Sequence, residues 1–164
     1  MENGSKRIQM KKDIMTRLAN NEILLMDGGT GTELQRRGIG VARGVVPGGD
    51  IGAWSARALG DAPEVVKEVH EDYLKVGADI IITNSFWSNR TRMSMDGIGN
   101  RWESYTRLAG KIAIGARDTI NREAYVAGGI APPAPGDPNS FKELREQAEV
   151  LAEVGVDVIL PEYV

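Results

Sequence analysis

The sequence has 164 residues, 41% of them hydrophobic and 26% charged, which is enough apolar material for one globular domain with a sizeable core. A formal net charge of −3 and a pI near 5.3 exclude the basic footprint of a nucleic-acid binder and fit small neutral or zwitterionic substrates. No apolar run reaches the roughly 18 residues of a membrane span; with no cysteine and one histidine, disulfides, thiolate metal sites and a zinc site built from imidazoles are excluded for this chain.

Met1 to Lys12 lacks the apolar stretch of a secretory signal, so a cytoplasmic location is expected. After a polar lead over residues 1–21, residues 23–26 (Ile-Leu-Leu-Met) predict a short buried strand that ends in a turn, Asp27-Gly28-Gly29-Thr30-Gly31. Residues 32–37 predict a short helix stopped by Gly38, and residues 40–52, with Pro47, a glycine-rich loop. Asp61 reads as the capping acid of the next helix, with Pro63 in its first turn and Glu64 three residues on. Val65, Val66, Val69, Tyr73 and Leu74 follow at helical spacing until Gly77.

Residues 78–83 predict a second buried strand, with Asn84-Ser85-Phe86-Trp87 leaving its C-terminal end. Residues 102–121 carry Tyr105, Leu108, Ala109, Ile112, Ala113, Ala116 and Ile120 on one helical face. A third strand over residues 124–127 runs into Gly128-Gly129, and a loop with Pro132, Pro133, Pro135 and Pro138 follows. Residues 140–154 predict a helix with Phe141, Leu144, Ala148 and Leu151 inward and Gly155 at its stop, before a fourth strand over residues 156–160.

Strand, loop and helix repeated, with every strand apolar throughout, require a parallel sheet covered by helices. A doubly wound sheet and a barrel both satisfy this. Polar and glycine residues after every strand favour a parallel (β/α)8 TIM-type barrel, where active sites are built from those ends. A complete barrel needs about 250 residues; residues 22–164 therefore read as its first half, strands 1–4, and the stop just after an apolar strand reads as truncation.

An acid at a strand end followed by glycines, as in Asp27-Gly28-Gly29, brings backbone N–H groups close to a ligand; the other reading is a turn that only connects strand and helix. A dinucleotide fold requires its glycines in the G-x-G-x-x-G order and a second strand, and the interval after the turn is a glycine-rich loop with no strand. Glu162 follows the fourth strand as Asp27 follows the first, so the two acids either face one pocket and hold an ammonium, or Glu162 is a solvated acid. Thr83, Asn84 and Ser85 occupy the same place after the second strand, as ligand contacts or as turn formers. Trp87 is placed to stack on a ligand, Trp102 to pack, and His70 to sit on a helix surface or interface.

Several segments together carry a resemblance. They are Asp27-Gly28-Gly29-Thr30-Gly31-Thr32-Glu33-Leu34, Trp54-Ser55-Ala56, Pro63-Glu64-Val65-Val66, His70 with Tyr73, Gly77-Ala78-Asp79-Ile80-Ile81, Thr83-Asn84-Ser85-Phe86, Ala127-Gly128-Gly129-Ile130-Ala131-Pro132 and Gly155-Val156-Asp157. In that order and spacing the chain resembles the homocysteine S-methyltransferase family, which includes betaine-homocysteine methyltransferases and the homocysteine-binding module of cobalamin-dependent methionine synthase. The resemblance implies a zinc-dependent barrel that methylates the homocysteine sulfur to give methionine. It implies that Asp27 and Gly28 contact the amino acid, that Glu162 binds its ammonium group, and that Thr83 and its neighbours line the site between homocysteine and methyl donor.

The family's zinc is held by three cysteines on later barrel strands, none of which is in this chain. A free thiol has a pKa near 8.5, and zinc coordination deprotonates it outright. Without zinc, Asp27 and Glu162 position homocysteine but disfavour its thiolate. The chain alone is therefore expected to lack catalytic and metal-ligating residues and to be inactive, supplying the homocysteine-binding half of a site. Two other functions stay open: a non-catalytic half-barrel that self-associates or binds a partner through exposed edges, and a nucleotide-dependent α/β enzyme using the glycine loop.

Overall fold

The computed structural model describes residues 11–41, 52–133 and 136–163. Most of the loop expected over residues 40–52, including Pro47, lies outside the described residues, as do Pro135 and residues 1–10 of the lead.

Three strands, β1 (Ile80–Ile82), β2 (Tyr125–Ile130) and β3 (Val158–Pro161), form a parallel sheet in that spatial order. Ile81 pairs with Val126, and Gly128 with Ile159. Residues 23–26 run along the other side of β1, where Met26 bridges Ile80 and the Leu25 carbonyl accepts from the Asp79 and Ile80 N–H groups at 2.8 and 3.1 Å. Spatial order thus follows chain order, without the reversal that marks a doubly wound sheet.

Helices make the crossovers. α1 (Ile14–Ala19) precedes the first segment; α2 (Thr30–Arg36), a 3-10 turn (Trp54–Arg57), α3 (Ala58–Asp61) and α4 (Pro63–Lys75) lead to β1. α5 (Arg90–Met95) and α6 (Trp102–Ile120) lead to β2, and α7 (Ser140–Val154) leads to β3. Ala109, Gly110, Ala113 and Ala116 form the buried face of α6. A methyl group at Gly110 would lie 2.9 Å from Val154 Cγ1, so small residues set how closely α7 approaches α6.

Three expectations need correction. Residues 23–26 do not form a buried strand: Ile23, Leu25 and Met26 are 86%, 60% and 47% exposed, because this segment has β1 on one side and no described strand on the other. Asp61 does not cap α4. It ends α3, and Ala62 occupies the cap without a side-chain bond, since the residue before Pro63 is forced out of the helical conformation. On α7, Phe141 is exposed while Gln147, Val150 and Leu151 are buried. Phe141 lies on a different side of the first turn from the buried Ser140, so it points away from the sheet.

Two equivalent helix-to-strand joints set the register. Gly77 and Gly155, at φ 103° and 95°, let the residue after each donate back five positions, Ala78 to the Tyr73 carbonyl and Val156 to the Leu151 carbonyl. The acid that follows then reaches the preceding strand: Asp79 accepts from the Leu25 N–H at 3.0 Å, and Asp157 from the Val126 N–H at 2.7 Å. Both acids close a gap at the start of a strand where a backbone donor lacks a ladder partner.

His70 lies on the inner face of α4, fully buried, and neither ring nitrogen has a hydrogen-bond partner. It is thus a core residue and not the surface residue its sequence position suggested. Burial holds its pKa down at about 4, below the usual 6.5. A depressed histidine leaves the neutral ring favoured in the fold, so its contribution is complete above pH 6.5 and is lost as pH falls towards 4. His70→Leu removes that dependence. The stability difference between variant and parent, read from urea midpoints, should therefore shift by ~2 kcal/mol in favour of the variant between pH 7 and pH 4.5. A pH-independent difference would refute the assignment.

Candidate functional site

The C-terminal ends of the strands gather the polar residues, because each strand there gives way to a loop before its helix begins. Asp27 leaves the first segment, its own N–H donating to the Ile80 carbonyl at 2.9 Å. Its Oδ2 accepts from the Ile82 N–H at 2.9 Å, which ties the acid to the end of β1; its Oδ1 is sealed from solvent without a partner. Burial pushes this carboxyl up to about 7, against the Ile82 N–H that opposes the shift, and the nearby Glu162 pushes it further in the same direction. Glu162 follows β3, with its N–H on the Ile130 carbonyl at 3.0 Å, and burial raises its carboxyl too. Two acids that each resist ionisation form a site that a cation would relieve.

A cavity of about 160 Å³ opens beside them, lined by Gly28 to Gly31, Trp54, Ser55, Ile82, Thr83, Asn84, Phe86, Glu162 and Tyr163. The glycines answer a demand for space. None of Gly28, Gly29 and Gly31 has positive φ. A methyl group at Gly28 would lie 2.8 Å from the Tyr73 hydroxyl oxygen, and one at Gly31 2.8 Å from Cζ2 of Trp54. Gly129 plays the same part for Glu162, whose Oε1 would be 2.5 Å from a methyl group there.

Of the three residues after β1, Thr83 and Asn84 line this cavity and Ser85 does not. Their polar groups are largely committed to the fold. Thr83 Oγ1 accepts from the Gly129 N–H at 3.0 Å and shares a 2.6 Å hydrogen bond with Ser85 Oγ; Ser85 donates to the Gly129 carbonyl at 2.7 Å. Asn84 Nδ2 donates to the Ser55 carbonyl at 2.8 Å. Gln147, from α7, donates to the Ser85 carbonyl and to Ser88 Oγ. This buried network braces β1 against β2 and α7 at the mouth of the site, and it was invisible in the sequence because its members lie up to 62 residues apart.

Aromatic residues that are scattered along the chain converge here. Trp54 and Trp87 have ring centroids 5.9 Å apart, Phe86 and Trp87 5.5 Å, and Phe86 and Tyr163 5.9 Å. Trp54, Phe86 and Tyr163 form a wall shared with a second, adjoining cavity of about 420 Å³, whose other sides include Trp87, Asn89, Pro132, Asp137 and Glu143. Sequence reading picked out Trp87; Phe86 and Tyr163 could have been found by their places just after β1 and β3, whereas Trp54, at the start of a 3-10 turn, carried no such signal.

Among the described residues no three of His, Cys, Asp and Glu converge as a metal site. No helix among them is long and apolar enough to cross a membrane. A family model described as homocysteine S-methyltransferase matches residues 24–164. The chain belongs to that family. Within the homocysteine S-methyltransferases it is 30% identical over 160 residues to the S-methylmethionine–homocysteine S-methyltransferase BHMT2 of Rattus norvegicus, covering 94% of this chain and 40% of that protein. It is 36% identical over 110 residues to the homocysteine S-methyltransferase of Escherichia coli (strain K12), covering 67% and 32%. The metallated form of the homocysteine methyltransferase MmuM from Escherichia coli superposes with a TM-score of 0.70 at 24% identity over 90% of this chain and 56% of that one, a likeness of fold. The chain therefore spans about two fifths or less of the length of these curated relatives.

Proposed function

We propose that this chain forms the homocysteine-binding part of a homocysteine S-methyltransferase, as the first half of a (β/α)8 barrel. The observation that carries the reading is the junction of two cavities: a carboxylate pair suited to an ammonium on one side, and an aromatic-walled space suited to an onium methyl donor on the other. Glu162 and Asp27 hold the amino group of homocysteine, with Gly28 at the turn beside it. Thr83 and Asn84 form the floor next to the sulfur; Ser85 acts through them, as a brace.

The aromatic wall fits the second substrate. A positively charged methyl donor, sulfonium or quaternary ammonium, is attracted to the faces of Trp and Tyr rings. In the transfer, the sulfur–methyl bond of methionine forms as the donor's bond from its charged heteroatom to that methyl carbon breaks. The donor leaves neutral, and the thiol proton goes to solvent. The relatives named for S-methylmethionine use such a sulfonium, which supports this class of donor.

The family's zinc would supply the thiolate. The residues here do not fit it: the chain has no cysteine, and its single imidazole is sealed inside the core. We therefore route no step through the metal, assign its ligands to residues outside this chain, and expect the chain alone to be inactive in methyl transfer. A cytoplasmic setting, with methionine synthesis as the role, accompanies this reading. The uncovered residues 23–26 and the free side of β3 support the half-barrel, and they are the surfaces through which the isolated chain would self-associate.

Calorimetry with L-homocysteine tests the reading. Binding that weakens by at least about 30-fold in Glu162→Gln, the ~2 kcal/mol expected for losing one partner of a buried charge pair, is the expected result. Equal binding by parent and variant would overturn the role of Glu162, and no binding by the folded parent would overturn the site. A nucleoside phosphate that binds at the glycine turn would restore the nucleotide reading.

A further inference from the structure

Trp54 stands where the two cavities meet, and its backbone is in an unfavourable state. Its φ is +43°, in the left-handed region, which strains a bulky side chain. Such a conformation persists only if the surroundings hold it. On the far side of the ring, the edge of the indole rests on Gly31, and Trp87 lies 5.9 Å away. Those contacts receive the ring but do not anchor the backbone that presents it.

The backbone is held after Trp54 by Asn84, which donates to the Ser55 carbonyl at 2.8 Å, and before it from α5. Asp96 closes that helix, and Gly97, at φ 74°, turns the chain away after it. Asp96 Oδ2 accepts from the Ala53 N–H at 3.1 Å and lies 3.3 Å from Nη1 of Arg57. Its Oδ1 packs against Gly52, where a methyl group would stand 2.6 Å away. One carboxylate thus touches the residue before Trp54, the residue two before it and the residue three after it. A negative charge at a helix C-terminus is unfavourable in itself, so the interactions that favour this rotamer lie across the chain, in the turn that carries Trp54.

We propose that Asp96 is the positioning residue that locks Trp54 in its left-handed conformation, and so sets the wall between the two substrate cavities. Asp96 touches neither cavity: it acts through Trp54. The effect on ligand affinity rests on the functional reading above; the effect on Trp54 does not.

The test separates the two. Indole rings as close as Trp54 and Trp87 couple their transitions, and the pair should give an exciton couplet in far-ultraviolet circular dichroism that disappears in Trp54→Phe. Asp96→Ala should lose most of that couplet while its helical signal and melting transition stay those of a folded protein, and Asp96→Asn, which keeps an acceptor for the Ala53 N–H, should restore it. If the alanine variant does not fold, Asp96→Ser keeps a polar group at the helix end but falls short of Ala53, and the same loss is expected. A full couplet in a folded Asp96→Ala or Asp96→Ser protein, or one unchanged in Trp54→Phe, overturns the proposal. The affinity for S-methylmethionine, used as the sulfonium probe, should fall about tenfold in the alanine variant, or ~1.4 kcal/mol. Loss of the couplet with no S-methylmethionine binding by the parent would leave Asp96 in its role and count against the donor cavity alone.

Discussion

Asp27→Asn should make the free protein more stable at pH 8 by roughly 2 kcal/mol while abolishing homocysteine binding. The folded carboxyl is raised to about 7, chiefly by burial, against an ordinary value of 3.8. With a raised acid, the stabilising contribution is full below pH 3.8 and is lost as pH climbs to 7, because the unfolded chain ionises first. At pH 8 the fold therefore carries a charge it would rather not hold. Full linkage over that interval would amount to about 4 kcal/mol; the residue keeps some contact with water, so about half is expected to be realised. The amide keeps an acceptor for the Ile82 N–H and removes the charge. Urea unfolding at pH 5 and pH 8 should show the stability difference between variant and parent growing in the variant's favour across that interval, a comparison in which the opposite response of His70 cancels. If both respond alike, Asp27 is not strained by its charge. The gain and the loss come from one cause: a buried carboxylate with one oxygen unpartnered is strained by its charge, and the proposed ammonium would relieve it.

Gln147→Ala should cost about 3–4 kcal/mol, and Gln147→Leu less than about 1.5 kcal/mol. The side chain is fully buried against the Ser85–Ser88 segment. Truncation leaves a cavity against the Ser85–Ser88 segment and removes both donor bonds. Leucine refills the volume, and the groups it abandons are not orphaned: the Ser85 carbonyl still accepts from Ser88 Oγ at 3.0 Å, and Ser88 Oγ still shares a 2.6 Å bond with Thr106. Gln147 Oε1 itself has no partner, so its loss removes a buried polar group. Thermal melts of the two variants decide the matter. Equal large losses would mean that hydrogen bonding, and not packing, is what Gln147 contributes at this end of the site.

Much of the architecture was legible because the relevant signals are local. Helix α6, α7 and the strands β1 to β3 were found within a few residues of where they lie, from apolar runs and helical periodicity punctuated by Gly77 and Gly155; Gly128 and Gly129, read as the end of the third strand, lie inside β2, where they leave room for Leu151 and Glu162. Their internal hydrogen bonds and side-chain spacing depend on neighbours a few positions away. The first segment was misjudged because an apolar run says only that a strand could be buried. Whether it is depends on a second neighbour, which sequence periodicity does not report.

The site divides along the same line. That Asp27, Gly28, Thr83, Asn84, Ser85 and Glu162 lie at the C-terminal ends of the strands could be read from the sequence, since in a parallel sheet every strand delivers its last residues to the same rim. What those residues do there required the fold. Gly31 looked like a device for backbone flexibility or anion binding, and it is the seat of an indole. His70 looked peripheral and is in the core; Gln147 looked like one more polar helical residue and is a buried brace.

The sequence by itself determined the alternation of the main helices with parallel strands and the membership of the homocysteine S-methyltransferase family, because these follow from short-range pattern and ordered motifs; the short helices α1, α3 and α5 carried no such pattern. Only the tertiary structure decided that Asp27 and Glu162 lie near one another in a desolvated corner, that Trp54, Phe86 and Tyr163 make one wall, and that Asp96 contacts the turn that carries Trp54. Burial, mutual charge and steric fit are here properties of residues far apart in the sequence brought into contact, and no local pattern encodes them.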